Sequence, residues 1–454
     1  MLQKPIKRYL YMFLFLLSGT ACESFLDEKP DRQQAVPTTI PDFQALLDRY
    51  PIISDNDPGA GEVSADNYYL TDADWAGLTD EYRRMYAWEK DGLFDEGSNN
   101  DWFYTYRPAY TANTVLEGIS NVARHPGNQA VWDNVKGQAL FIRARSFLQV
   151  AMLWAPAYQE NTASGTPGIP LRLSTDFNAR STRSSLQETF DRITADLQEA
   201  CRLLPPAQIH PIRPSRTAAY ALLARTYLYM QRYPLAEDYA DSTLRLQNTL
   251  LDFNTLKASA TYPIPPDNGE IIFRSKFRLP APINISRAKI LPDLYNAYAA
   301  NDLRKTIFFR NNGNGSFAFK GSFEGSSSLF SGITTAELYL TRAETRARRG
   351  DAAKALEDLN TLLAARWKSG TFTPLTSSSA TEVLNLVLQE RRKELLMRGL
   401  RWPDLKRLNA SGAGITLTRT VQGQQRTLPP NDLRYVLPIP EDVILMTGMT
   451  QNVR

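Results

Sequence analysis

Apolar residues recur along this chain at spacings of three and four, the period that places them on one side of an α-helix. Residues 39–50 read as a helix with Pro41 in the first turn and Phe43, Leu46 and Leu47 on the buried side. Residues 111–122, 131–153 and 185–204 are further amphipathic helices, the last stopped by Pro205 and Pro206. Residues 51–61 break the pattern and read as a loop. Its Asp55-Asn56-Asp57-Pro58-Gly59 looks like the start of a calcium loop, but the later glutamate spacing fails, so the stretch is taken as a turn.

Two later segments look like one another. Residues 217–246 carry Ala221, Ala224, Tyr227, Leu228, Tyr233, Ala236, Tyr239 and Ala240, and residues 335–367 carry Leu338, Leu340, Ala343, Ala347, Ala355, Leu356 and Leu359. Each is a helix, a tight turn (Arg232-Tyr233-Pro234 or Arg349-Gly350-Asp351) and a second helix, with small residues where the two helices touch. The pattern resembles the tetratricopeptide repeat of about 34 residues. A lone helical pair cannot bury its own apolar side, so the pairs must stack on the other helices. The fold class expected is mainly α: a right-handed arc of tetratricopeptide-like helical hairpins, with an irregular subregion of loops and short strands laid across it.

The irregular pieces are two insertions, at about 55–110 and 247–332. In the second, Tyr262-Pro263-Ile264-Pro265-Pro266 and Asn268-Gly269 are turns, residues 270–276 a strand and residues 291–300 a helix. Residues 307–323, rich in aromatics and glycine, read as short strands and loops. Residues 433–440 read as a strand and turn.

Residues 381–408 read as two helices with a break between them. Leu384, Leu388 and Leu395 fall on one side of the first, Gly399 supplies a left-handed stop, and Pro403 opens the second. Glu390 can meet Lys393, and Arg391 can meet Glu394, at the three-residue helical spacing. So much charge in so apolar a segment is either a solvated face or a paired network holding this corner to the rest.

Composition removes several functions. Of 454 residues, 43% are hydrophobic and 11% aromatic, enough for a sizeable core. The formal charge of +4 includes Lys4, Lys7 and Arg8 near the N-terminus, and without them it is +1, which gives no electrostatic case for nucleic acid. The only histidines, His125 and His210, each precede a proline, which leaves little from which to build a metal site or a catalytic triad. Neither metal nor cofactor is expected. Of the two cysteines, Cys201 reads as a small buried apolar residue.

Cys22 has a different context. Three basic residues precede an apolar run from Tyr9 to Leu17, too short to span a bilayer as a stop-transfer helix, and then small residues lead to Cys22. The stretch Leu17-Ser18-Gly19-Thr20-Ala21-Cys22 resembles a bacterial lipobox. That resemblance implies a lipoprotein signal peptide over residues 1–21, cleavage before Cys22 and acylation of that cysteine. A lipidated tether over 22–38 and one domain over 39–454 follow. Two or more acyl chains, at about 0.8 kcal/mol per buried CH₂, hold a protein stably on a membrane.

Aromatics crowd between Asp66 and Tyr110, interleaved with short amides and carboxylates. Sugar rings present apolar C–H faces and hydroxyl edges, so a sugar site wants flat rings beside such polar groups; a peptide would be gripped by the same surface. Tyr82, Tyr86 and Tyr110 sit within helical periodicity and are assigned to packing. Tyr68, Tyr69, Trp75 and Trp102 lie in loop-like sequence and, with Asp66 and Asn67, are the candidate ligand-binding residues. Tyr295 and Tyr298 are weaker candidates from the second insertion. Asp91, Asp95, Glu96 and Asp101 could supply the paired carboxylates of a glycosidase, but they occur in a run of loop acids of the kind that is usually solvated, and no enzyme is expected.

Residues 390–407 carry a longer motif: Glu390, Arg391, Arg392, Glu394 and Leu395, then Gly399 and Arg401, then Asp404, Leu405 and Arg407. This resembles the C-terminal signature of the SusD/RagB family of bacterial nutrient-binding lipoproteins. Arg398 stands where an acidic residue is common, and Pro403 where an aromatic is frequent. Ser24-Phe25-Leu26-Asp27-Glu28-Lys29-Pro30 is similar to the family's opening, Asn301-Asp302-Leu303-Arg304-Lys305 to another of its habits, and Gln451-Asn452 to its near-terminal pair. Acids at 23, 27 and 28 resemble tags that send such lipoproteins to the outer face of the outer membrane. The resemblance implies the helical-repeat fold and a surface-exposed, lipid-anchored protein of polysaccharide utilization. Such a protein binds oligosaccharides and passes them to a SusC-like TonB-dependent outer-membrane transporter. Relatives of RagB type imply an oligopeptide ligand instead, and a scaffold binding only protein is the third alternative.

Overall fold

The computed structural model describes residues 36–95 and 100–454. The expected signal peptide, Cys22, Glu96 and all but the last three residues of the tether lie outside them.

The chain opens with α1 (Ile40–Leu47), whose N-cap Thr39 and Asp42 satisfy each other's backbone N–H groups in a capping box. Short helices α2 (Tyr50–Ile53) and α3 (Ala60–Ser64) occupy the expected loop, followed by strand β1 (Tyr68–Tyr69), α4 (Asp72–Ala76) and α5 (Asp80–Tyr86). Long helices α6 (Asp101–Ile119) and α7 (Gln129–Trp154) come next. Helix α6 begins ten residues before the expected start, because Asn100 caps it by accepting the Phe103 N–H, and Pro108 is accommodated inside. Gly118 lets α1 approach: a Cβ there would lie 2.4 Å from the Phe43 ring.

Strands β2 (Pro167–Pro170) and β3 (Arg183–Ser185) pair ahead of α8 (Leu186–Leu203), and α9 (Arg216–Tyr229) with α10 (Tyr233–Leu246) forms the first expected repeat. After β4 (Ile271–Phe273) and β5 (Lys289–Ile290) come α11 (Pro292–Asn296), α12 (Arg304–Ile307), β6 (Phe309–Asn311), β7 (Phe317–Phe319) and β8 (Ile333–Thr334). Helices α13 (Thr335–Arg348) and α14 (Ala352–Ala364) are the second repeat. The signature follows as α15 (Ala380–Glu394) and α16 (Arg401–Ala410). A hairpin, β9 (Leu417–Val421) with β10 (Gln424–Leu428), and α17 (Glu441–Thr447) complete the chain. That hairpin was not expected, and residues 433–435 form a 3-10 turn where a strand was.

Each long helix packs on the next: α6 on α7, α7 on α8, α8 on α9, α9 on α10. The array then skips the second insertion and continues from α10 to α13. The join is polar at its rim, where Arg342 reaches Asp241 at 2.8 Å and Asp358 at 2.6 Å. Repeats separated by some ninety residues therefore stack directly, and the insertion is displaced outward as paired strands, β1 with β5, β4 with β8 and β6 with β7. No helix among the described residues is long and apolar enough to cross a membrane.

The signature is a buried ion network, not a solvated face. Glu390 pairs with Lys393 at 2.7 Å, as the spacing predicts. The expected Arg391–Glu394 contact is replaced by longer-range pairs: Arg391 binds Asp404 at 2.8 Å, and Glu394 receives both Arg304 and Arg366. Fully buried Arg304 also meets Asp302 and Glu390. Val383 and Val387 take the core positions expected of Leu384 and Leu388, which are half-buried. Desolvating this many charges consumes most of what their attraction returns, so the network fixes geometry more than it adds stability. Burial pushes the Cys201 thiol up to about 12, consistent with a packed, unreactive side chain.

Candidate functional site: where the aromatic segment meets the insertion

The signature helices hold the aromatic segment. Asp66 accepts two hydrogen bonds from Arg401, at 2.6 and 2.9 Å, and one from Arg392 at 3.1 Å. Those guanidiniums keep its carboxyl down at about 2 despite burial. The Asn67 side-chain oxygen accepts from Arg392 at 3.2 Å. Both residues fix the start of β1; Asn67 is 1% exposed, whereas Asp66 is half-buried and also lines the cleft that the strand borders.

From there β1 pairs antiparallel with β5, Tyr68 opposite Ile290 and Tyr69 opposite Lys289, and the Leu291 N–H donates to the Asn67 carbonyl at 3.2 Å. The two insertions thus share one ladder, whose paired residues lie more than two hundred positions apart in sequence. Alternation along the strand decides the fate of its two tyrosines. Tyr68 points inward and is 1% exposed, its hydroxyl donating to the Val63 carbonyl at 2.9 Å. Tyr69, on the other side, is half-buried and lines a cleft of ≈ 500 Å³ with Thr71, Asp72, Pro292 and Gln425. Arg419 from β9 plugs the floor among the rings of Tyr68, Tyr86 and Trp88, its charge shared by backbone carbonyls.

Beside the cleft, α4 carries Trp75. Thr71 and Asp74 form a capping box at its start, and Lys289 of β5 makes an ion pair with Asp74. The Gln422 N–H at the tip of the β9–β10 hairpin donates to Asp72 at 2.8 Å. Trp75 is half-buried, with the Arg83 guanidinium 5.7 Å from its ring centroid. It sits on a helix, not in a loop. Tyr295 from α11 stacks on Phe317 with ring centroids 3.6 Å apart and planes 12° apart, while the Lys305 ammonium lies 4.8 Å from its ring. Its faces are therefore occupied. Tyr298 is 0% exposed and donates to the Lys393 carbonyl at 2.8 Å, which makes it core. Tyr68 and Tyr298 cannot present ring faces to a ligand here, because the packing that defines the insertions consumes them. Asp101 is a structural cap as well: it accepts the Ala60 N–H at 2.8 Å, and burial pushes its carboxyl up to about 6.

Trp102 belongs elsewhere. It lies in the first turn of α6, edge-on to Trp154 at 5.4 Å and beside Tyr106 at 5.0 Å, under a groove of ≈ 950 Å³ between α6 and α17. Tyr110, assigned to packing from its periodicity, is exposed on that groove, and Phe177, 81% exposed, leans against it at 5.4 Å. A helical period cannot tell a ring facing the core from one facing a groove between helices, and nothing in the local sequence of Phe177 marks it.

Two family models match the chain. One, described as SusD-like and starch-binding, associating with the outer membrane, matches residues 24–228. The other, the SusD family, matches residues 316–454. Among solved structures, a SusD superfamily protein from Bacteroides vulgatus superposes with a TM-score of 0.76 at 19% identity, over 92% of this chain and 99% of that one. A second, from Bacteroides thetaiotaomicron, gives 0.72 at 20% identity over 92% and 100%. A laminarin-binding SusD-like protein gives 0.64 at 17% identity over 90% and 97%. At such identities the likeness speaks for the fold. No curated protein matches.

Proposed function

This chain belongs to the SusD/RagB family, and from that premise we propose that it is a cell-surface lipoprotein, anchored to the outer membrane through Cys22, that binds oligosaccharides and passes them to a SusC-like TonB-dependent transporter. The observation that carries the reading is the β1–β5 ladder, which brings Tyr69 of the first insertion beside Lys289 and Pro292 of the second, while the Asp74–Lys289 ion pair ties down the helix that carries the next residue, Trp75. Tyr69 and Trp75 supply flat apolar surfaces for C–H faces of sugar rings, and Thr71, Asp72 and Gln425 supply hydrogen-bonding groups for hydroxyls. The signature helices act as a fixed mount for that cleft, through Asp66 and Asn67, and residues 39–454 work as one domain. A binding protein of this kind holds its cargo unchanged, and the buried Asp101 carboxyl is committed to capping. The relative described as laminarin-binding supports a glycan ligand.

Calorimetry with a panel of neutral oligosaccharides, including β-1,3-glucan fragments, against a pool of oligopeptides tests the ligand class. Saturable heat from at least one oligosaccharide is expected. Heat from peptides alone would replace the sugar reading with a peptide one.

A further inference from the structure

The groove along α6 does not end at its aromatic rings. It runs on past Tyr106, Tyr110 and Phe177 into a smaller pocket over Pro170 and Met449, and from there into a polar pocket of ≈ 400 Å³ lined by Arg180, Arg183, Ser164, Thr182 and Thr450. One wall of this trough is the 171–182 loop. That loop is braced from within: Arg172 donates to the Asp176 carbonyl at 2.6 Å and to Ser181 at 3.1 Å, and Glu117 of α6 accepts the Thr175 N–H at 2.8 Å. The opposite wall is α17 and the residues after it.

The two arginines at the polar end have no carboxylate partner among the described residues. Arg183 donates only to backbone carbonyls, of Gly168 at 3.0 Å, Thr450 at 3.2 Å and Pro167 at 3.4 Å. Arg180 is exposed at the rim, and neither forms an ion pair with a carboxylate among the described residues. The acids nearest in sequence are otherwise engaged. Asp176 accepts the Asn178 N–H at 2.8 Å, and Glu188 accepts the Ser185 N–H at 2.8 Å as half of the α8 capping box. Guanidinium stays protonated under any ordinary condition; each Arg183 nitrogen already donates to a carbonyl, so the pocket lacks a neutralising charge, and the two remaining N–H groups of Arg183 together with the exposed Arg180 are the donors open to an anion. A planar fork of donors in a hydroxyl-lined pocket matches a carboxylate or sulfate, and the rings leading to it match a chain of sugar faces.

We infer that this trough is a second glycan site with an anion subsite at its end, in which Arg180 and Arg183 hold the carboxylate or sulfate of an acidic oligosaccharide whose rings lie along Tyr106, Tyr110 and Phe177. The inference rests on the glycan reading above but concerns different residues. It makes the cargo, or one arm of it, an acidic glycan.

Calorimetric titration of the whole protein with trigalacturonate, its fully methyl-esterified form, and a sulfated disaccharide tests this. Trigalacturonate is expected to bind at least tenfold more tightly than the ester, with the preference weakening as salt is raised. The preference should vanish in Arg180→Ala, which removes an exposed side chain, and in Arg183→Gln. The sulfated arm decides whether the pocket takes sulfate in addition to carboxylate. Equal affinity for acid and ester with no binding of the sulfated sugar, or a preference that survives Arg180→Ala, overturns the proposal. So does binding of an acidic pentapeptide where no acidic sugar binds. If neutral oligosaccharides still bind at the Tyr69–Trp75 cleft while the acidic ones do not, only this inference fails; if no glycan binds at all, both fall.

Discussion

Arg401 and Asp66 lie 335 residues apart and meet through two parallel hydrogen bonds of 2.6 and 2.9 Å. The pair joins the family signature to the segment that bears the candidate ligand residues. It explains why so charged a stretch is buried: its charges are clamps for a loop, and a bidentate arginine fixes direction as well as distance.

Asp66→Ala leaves Arg401 and Arg392 facing each other in a partly buried corner. Breaking a fully buried pair costs about 3–5 kcal/mol, and this partly exposed one about 2–3 kcal/mol, in line with about 1.4 kcal/mol per pKa unit. A fall of that size in unfolding free energy is expected in denaturant titrations at pH 7, together with weaker glycan binding, because β1 loses its mount. With the folded carboxyl at about 2, below its unfolded value, the Asp66 contribution is complete above pH 4 and disappears as the pH falls through 2. Wild type and variant should converge in that window.

Glu62 behaves oppositely. It is buried, accepts the Gly399 N–H at 2.8 Å, and desolvation pushes its carboxyl up to about 7. A raised acid stabilises the fold below its unfolded pKa and loses that advantage as pH rises toward the folded one. Glu62→Gln keeps an oxygen for Gly399 and removes the charge. Relative to wild type, the variant should gain stability between pH 5 and pH 8, by up to about 3 kcal/mol, since each pKa unit is worth about 1.4 kcal/mol. Thermal unfolding of both proteins at the two pH values measures the difference.

Gly399 stands at the turn between the signature helices with φ +74°, and a Cβ there would lie 2.6 Å from the Phe277 ring. Gly399→Ala therefore meets both backbone strain and overpacking, together about 2 kcal/mol or more. A lowered denaturant midpoint with an unchanged slope is the expected readout.

The helical scaffold was legible because its evidence is local: periodicity, Pro205-Pro206 at one end, Gly399 at another, and alanines at the repeat contacts. The motif from Glu390 to Arg407 was legible as a pattern, but its partners were not. Arg391 reaches Asp404 instead of the helical neighbour Glu394, because Arg304 and Arg366 arrive from other elements to claim that carboxylate. The ligand side was read at the level of segments and not of side chains. Asp66 to Trp75 and the Lys289 region do converge, yet which of Tyr68 and Tyr69 faces outward depends on the register of a two-residue ladder. Phe177 and the two arginines after it gave no signal, since a groove wall made by a loop folding back on a helix leaves no period in the sequence.

The central claim is that Tyr69 and Trp75 form the surface on which a sugar stacks. Its most direct test is calorimetric titration of the tightest-binding neutral oligosaccharide into wild type, Tyr69→Ala, Trp75→Ala and the double variant, with melting temperatures taken alongside. Both side chains are half-buried, so native-like melting and at least a tenfold loss of affinity per ring are expected. Full affinity in a folded double variant would contradict the account.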